Sequence, residues 1–221
     1  MDLRRTIIAI FSEGTTGKII LATTSIIAAY AAAATASFLI PAAGLRAPGV
    51  QPIPVIEYKP KWVCPDCTPE EQYVLTELQE HTRITDRNAL AAIMGNIQQE
   101  SRFIPNICEG GARVSYRDCH SGGYGLIQWT SINRYNNLGK FGERYGCDPS
   151  TLKCQTRYMI NENIFQRLLP EFEGRGYTIS QYMTPSYYWL GWGIKGKRED
   201  YAYEYKEKLI LSVPPVNATN A

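Results

Sequence analysis

The 221-residue chain lacks a strong charge of either sign: 23 Lys and Arg stand against 21 Asp and Glu, a formal net charge of +2. No run of basic residues goes with that balance, which discounts nucleic acid as a partner. Histidine is scarce, at two residues. Cys64-Pro65-Asp66-Cys67 has no second CxxC to complete a four-ligand zinc set, and it lacks the βαβ setting of a thioredoxin-type redox pair. Gly14-Thr15-Thr16-Gly17-Lys18 lacks the first glycine of a phosphate-binding loop, and no strand precedes it. No internal repeat is visible. Nothing in the chain implies a metal or an organic cofactor.

What is present is aromatic and cysteine-bearing. Fifteen Tyr and four Trp bring the aromatic content to 11%. Such rings stack on the apolar faces of pyranoses in sugar-binding clefts, and elsewhere fill cores. The six cysteines fall as three sequence-local pairs, Cys64/Cys67, Cys108/Cys119 and Cys147/Cys154. Local pairing is one of many connectivities, and disulfides persist in oxidising compartments such as the bacterial periplasm.

Taken in order, the chain divides at residues 40, 68 and 211. Residues 1–40 carry Arg4, Arg5 and Lys18 ahead of an uncharged stretch from Ile19 to Ile40. That stretch is long enough to span a bilayer as a helix, and the basic residues before it favour a cytoplasmic N-terminus. Three readings compete: a membrane anchor, a cleaved signal peptide ending near Ala34-Thr35-Ala36, and a hydrophobic helix buried against other proteins of an assembly. Residues 41–68 form a proline-rich connector with the extended Gln51-Pro52-Ile53-Pro54. Residues 69–211 read as one mainly helical α+β domain, and 212–221 as a loose tail.

Thr68-Pro69-Glu70-Glu71 is a capping box with proline at the first helical position, which starts a helix running to His81. Ser131 caps another helix, with Ile132, Tyr135 and Leu138 on one face. Asp148-Pro149 starts a third, carrying Ile160, Ile164, Phe165, Leu168 and Leu169, and Pro170 closes it. Tyr177 to Trp192 is dense in rings, and Gly191 and Gly193 argue there for irregular chain. It lines a cleft or packs on the central helix. Arg198 to Leu211 reads as the last helix.

Residues 86–129 organise all of this. Behind an Asp86 cap, Leu90, Ile93, Met94 and Ile97 recur at helical spacing. The stripe continues onto Glu100, before Pro105 ends the helix. A poorly hydrated carboxyl favours its protonated form, the form a general acid needs to cleave an acetal. The alternative is a solvated Glu100, or one paired with Arg102. Gly95 inside the helix implies close approach of a neighbouring backbone. Residues 102–122 form a loop or small sheet, with Glu109 and Asp118 as candidate second carboxylates. Beyond it, Gly122-Gly123-Tyr124-Gly125 allows tight backbone geometry, and Gln128 offers both a donor and an acceptor.

Glu100-Ser101, preceded by Gly95-Asn96 and followed by Gly123-Tyr124-Gly125-Leu126-Ile127-Gln128-Trp129, resembles the phage tail lysozymes, relatives of goose-type lysozymes and soluble lytic transglycosylases. The resemblance covers roughly residues 69–210. It implies a lysozyme-like fold, Glu100 as the catalytic acid, and Ser101, Tyr124, Gln128 and Trp129 as substrate-binding residues. It further implies peptidoglycan glycan strands as the substrate and cleavage between N-acetylmuramic acid and N-acetylglucosamine, by hydrolysis or by formation of a 1,6-anhydro product. The expected setting is a virion acting at the bacterial envelope during genome entry, with residues 19–40 touching membrane or virion protein. A bacterial envelope-spanning apparatus and a non-enzymatic ejection protein are the alternatives.

Overall fold

The computed structural model describes residues 59–120 and 122–212. They belong to one compact unit, 54–221, the second of two in the chain. The hydrophobic stretch 19–40 with its three readings, the connector up to residue 58 and the tail from 213 lie outside the described residues. No helix among the described residues is long and apolar enough to cross a membrane.

The described residues form seven α-helices and two short strands. Strand β1 (Lys61–Val63) precedes α1 (Pro69–His81) and pairs antiparallel with β2 (Ile210–Ser212), Trp62 opposite Leu211. The side chain of Gln79 extends this ribbon. Its Oε1 accepts from the Trp62 amide at 2.7 Å and its Nε2 donates to the Trp62 carbonyl at 2.8 Å. The capping box of α1 is formed: Glu71 Oε2 accepts from the Thr68 amide at 2.7 Å, and Thr68 Oγ1 from the Glu71 amide at 3.3 Å. All three local cysteine pairs are disulfides.

Helix α2 (Arg87–Ser101) is the axis of the unit. Asp86 Oδ1 accepts from the amides of Asn88 and Ala89 at its start. Every residue from Ala89 to Ile97 is buried. The expected apolar stripe is therefore a helix wrapped on all sides, by α6 (Ile179–Leu190) and α7 (Arg198–Lys208) above all. Gly95 makes this possible. A Cβ there would lie 2.4 Å from the Ala202 amide nitrogen of α7 and 2.8 Å from the Arg198 carbonyl oxygen.

Several sequence expectations are corrected. Helix α2 stops at Ser101, ahead of Pro105, because Arg102 and Phe103 both adopt left-handed backbone and drive Phe103 into the core. In α3 (Ile132–Tyr145) Leu138 is buried, but Ile132 is 76% exposed because the helix's first turn projects past the core. Asp148 makes a local turn, accepting from the Ser150 amide, and Thr151 caps α4 (Leu152–Asn161) instead. The single helix read through Ile160 and Leu169 is two. Glu162 takes extended backbone between α4 and α5 (Asn163–Phe172), where Arg134 grips its carboxylate at 2.6 and 2.7 Å. Pro170 sits inside α5, whose last residue, Phe172, is fully buried. Residues 179–190 are helical, not irregular: Thr178 and Gln181 form a second capping box, and Gly191 with φ 70° is the helix stop. The last helix ends at Lys208, because the next residues pair with β1.

Replacing Gly95 with Ala in an exposed helix would stabilise by up to ~1 kcal/mol. Here the new methyl meets α7 backbone, so Gly95→Ala is expected to destabilise the domain by about 1–3 kcal/mol. Equilibrium urea unfolding measures the sign; a gain in stability would contradict the packing.

Candidate active site

Glu100 occupies the last turn of α2, one turn beyond the fully enclosed segment. Its side chain keeps 15% exposure and opens onto a groove of about 800 Å³. Ile127 and Gln128 line the groove together with Tyr188, Trp189 and Trp192. The ring-rich segment thus does both things expected of it: Trp189 is fully buried within the domain, while Tyr188 is 63% exposed along the groove.

The carboxyl does not stand apart from charge. Arg198, the first residue of α7, donates from Nη2 to Glu100 Oε1. Arg102, the partner weighed from sequence, is exposed on the left-handed turn after the helix. Arg198 is only 6% exposed, and its second terminal nitrogen is also engaged, while its Nε is buried without a hydrogen-bond partner among the described residues. Nη1 donates to the carbonyls of Ile194 and Lys195 at 2.9 and 2.7 Å, and the group stacks over Trp192 at 4.7 Å. Gln99 helps hold the same loop, accepting from the Lys197 amide at 2.8 Å. One buried cation therefore fixes the acid, the loop 191–197 and an aromatic wall together. Among the described residues no hydrogen bond reaches Glu100 Oε2.

The glycine-rich turn brings Ile127 and Gln128 to the same groove as Glu100. Gln128 has left-handed backbone (φ 51°), a conformation that costs about 1 kcal/mol or more for a side-chain-bearing residue and concentrates at working sites. Its Nε2 donates to the carbonyls of Gly125 at 3.0 Å and Ile107 at 3.3 Å. So Gln128 both lines the groove and ties its own loop. Ser101, Tyr124 and Trp129 are not on the groove surface. Ser101 is buried and donates to the Leu126 carbonyl at 2.7 Å, which pins the turn to the end of α2. Tyr124 is fully buried and donates to the Val114 carbonyl at 3.1 Å. Trp129 is fully buried 5.3 Å from the Tyr158 ring.

Neither candidate second carboxylate lines the groove. Glu109 Oε2 accepts from the Gly123 amide at 3.0 Å, and Asp118 Oδ2 from the Ser115 hydroxyl at 2.6 Å. Both brace the loop closed by Cys108–Cys119. Among the described residues that line the groove, Glu100 is the one carboxylic acid.

Sequence reasoning missed Arg198 and Gln155. Gln155 is fully buried in α4. Its Oε1 accepts from the Leu126 amide at 2.7 Å, and its Nε2 donates to the carbonyls of Pro105 and Pro149 at 2.6 and 2.7 Å. It replaces absent secondary structure as the support of the turn. Gly125 (φ 74°) must lack a side chain there, since a Cβ would lie 2.4 Å from Gln155 Oε1. A signal for Gln155 existed only as a polar residue on the apolar face of a helix. On α4, burial first and the Glu162 carboxylate second hold the Tyr158 phenol above its ordinary range. Its hydroxyl thus stays a donor, to the Arg134 carbonyl at 3.2 Å.

A family model described as phage tail lysozyme matches residues 71–185, from the first turn of α1 into α6. The chain belongs to the phage tail lysozyme family. Membership assigns a lysozyme-like, peptidoglycan-degrading activity, and with it peptidoglycan as substrate. No curated protein and no solved structure matches the chain. The matched span of this tail lysozyme domain contains Glu100 and Gln128 and stops short of Trp192 and Arg198.

Because Arg198 is buried against Glu100, removing the negative partner strands a cation. Glu100→Gln is expected to lower stability by about 2–4 kcal/mol, toward the low end of a broken buried pair because Glu100 keeps some water. The double change Glu100→Gln with Arg198→Met should recover part of that loss in urea unfolding. A single variant as stable as wild type would refute the pairing.

Proposed function

We propose that the chain cleaves the β-1,4 bond between N-acetylmuramic acid and N-acetylglucosamine, with Glu100 as the acid. The observation that carries this reading is a half-enclosed carboxyl on a ring-walled groove, with one oxygen held by Arg198 and the other unbonded. Glu100 enters the step protonated on Oε2, with Oε1 still accepting from Arg198, and passes that proton to the oxygen between the sugars. The C1–O bond breaks, its electron pair stays on the leaving oxygen, and positive charge develops at C1. Arg198 balances the carboxylate left behind. Gln128 Oε1 supplies an acceptor for a substrate N–H or hydroxyl.

Two routes complete the reaction. In one, water adds to C1 and its proton leaves, giving a hydrolysed end. In the other, the Glu100 carboxylate takes the proton of the muramyl 6-hydroxyl, whose oxygen closes on C1 to give a 1,6-anhydro end. The second route needs one carboxyl acting twice. It is favoured by the engagement of Glu109 and Asp118 in loop hydrogen bonds away from the groove. We further infer a virion protein that opens the wall locally for genome entry, a reading that membership of the phage tail lysozyme family supports.

A zymogram on purified peptidoglycan tests the assignment. Glu100→Gln, confirmed folded by circular dichroism, is expected to lose about 10²-fold or more of the clearing rate. Equal clearing by both proteins, or none by wild type, would favour a glycan-binding virion protein without catalysis. Mass analysis of released muropeptides separates the routes. Products one water lighter than hydrolysed ends are expected if Glu100 acts alone, and hydrolysed ends would require a water-positioning group elsewhere.

A further inference from the structure

The groove at Glu100 does not end at Arg134 and Ile164. Both residues also line a second groove, of about 640 Å³, between α3 and α5. One face of α3 supplies Arg134, Lys140 and Arg144 to it, and α5 supplies Arg167. Arg134 is neutralised by its bidentate pair with Glu162. Lys140, Arg144 and Arg167 are exposed, and among the described residues none of them forms an ion pair. Tyr145, 48% exposed, sits beside them with Arg144 at 5.4 Å from its ring. In a chain of net charge +2, three unneutralised cations gathered along one groove form a local field for anions.

We propose that this second groove binds the stem peptide of the wall polymer through its carboxylates. The inference rests on the reading of peptidoglycan glycan as the substrate at Glu100. Each muramyl lactyl group carries a peptide with free carboxylates, and it branches from the sugar beside the bond to be cut. A glycan lying along the Glu100 groove places such a branch at the Arg134–Ile164 end, where the cations begin. Lys140, Arg144 and Arg167 then meet the carboxylates, and Tyr145 offers a face to the peptide's apolar atoms. Arg134 and Glu162 form the partition between the sugar and the peptide. The enzyme would accordingly prefer peptide-bearing glycan over denuded strands.

The test measures binding, so that it does not depend on cleavage. A soluble disaccharide-tetrapeptide and the same disaccharide stripped of peptide are titrated into the full chain by calorimetry. Wild type is expected to bind the peptide-bearing ligand about ten-fold more tightly, the sum of a few exposed ion pairs. In the triple variant Lys140→Gln, Arg144→Gln, Arg167→Gln that ratio should fall close to one. A control removing three other exposed cations, Arg113→Gln, Lys153→Gln and Arg175→Gln, should keep the ratio. Equal affinities in wild type, binding of neither ligand, a ratio that survives in the triple variant, or a ratio lost in the control would each overturn the proposal. A preference for the peptide-bearing ligand in a wild type that clears no peptidoglycan would support this groove while refuting the catalytic role of Glu100.

Discussion

The crossing of α7 over α2 at Gly95 is the constraint on which the rest of the site depends. With only a hydrogen where a side chain would stand, the two backbones approach to a distance that admits no Cβ. The same crossing sets Arg198, one turn of α7 before Ala202, against Glu100, which lies on α2 beyond Gly95. The acid's partner, the loop 191–197 that Arg198 ties, and the ring of Trp192 beneath it are all positioned by that contact. An ion pair this buried contributes little net stability over an apolar replacement. Its value here is geometric: it leaves one carboxyl oxygen turned to the groove and the other held.

The turn that carries Gln128 is held by a different physics. Residues 102–130 contain almost no regular structure, so their backbone groups need partners from side chains. Gln155 satisfies two of them while also bonding the Pro149 carbonyl, Ser101 satisfies one, and Gln128 two more. The Cys108–Cys119 disulfide shortens the loop that these bonds must order. Motif residues that look like substrate contacts in one dimension are, for Ser101, Tyr124 and Trp129, buried braces for the one that reaches the groove, Gln128.

How much of this was legible in the chain follows from the range of each interaction. The α1 capping box, the Asp86 cap, the three local disulfides and the need for a close neighbour at Gly95 are encoded within a few residues, and all are present. Glycines and prolines misled where position within a helix mattered more than presence. Gly191 ends α6 and does not dissolve it, while Pro170 and Pro185 lie inside helices whose burial outweighs one lost hydrogen bond. The break at Glu162 was invisible because its cause, Arg134, is 28 residues away.

By itself, the order of residues determined which carboxyl stands at the end of the buried helix, which turn lies downstream of it, and which family the motifs resemble. These are properties of spacing, and spacing is local. Only the folded chain decided that Glu100 meets Arg198 and not Arg102, that Glu109 and Asp118 face their own loop, and that a cationic groove adjoins the one at Glu100. Those outcomes join residues up to 98 positions apart. No periodicity records such a meeting, because it is set by how helices pack and not by what any one of them contains.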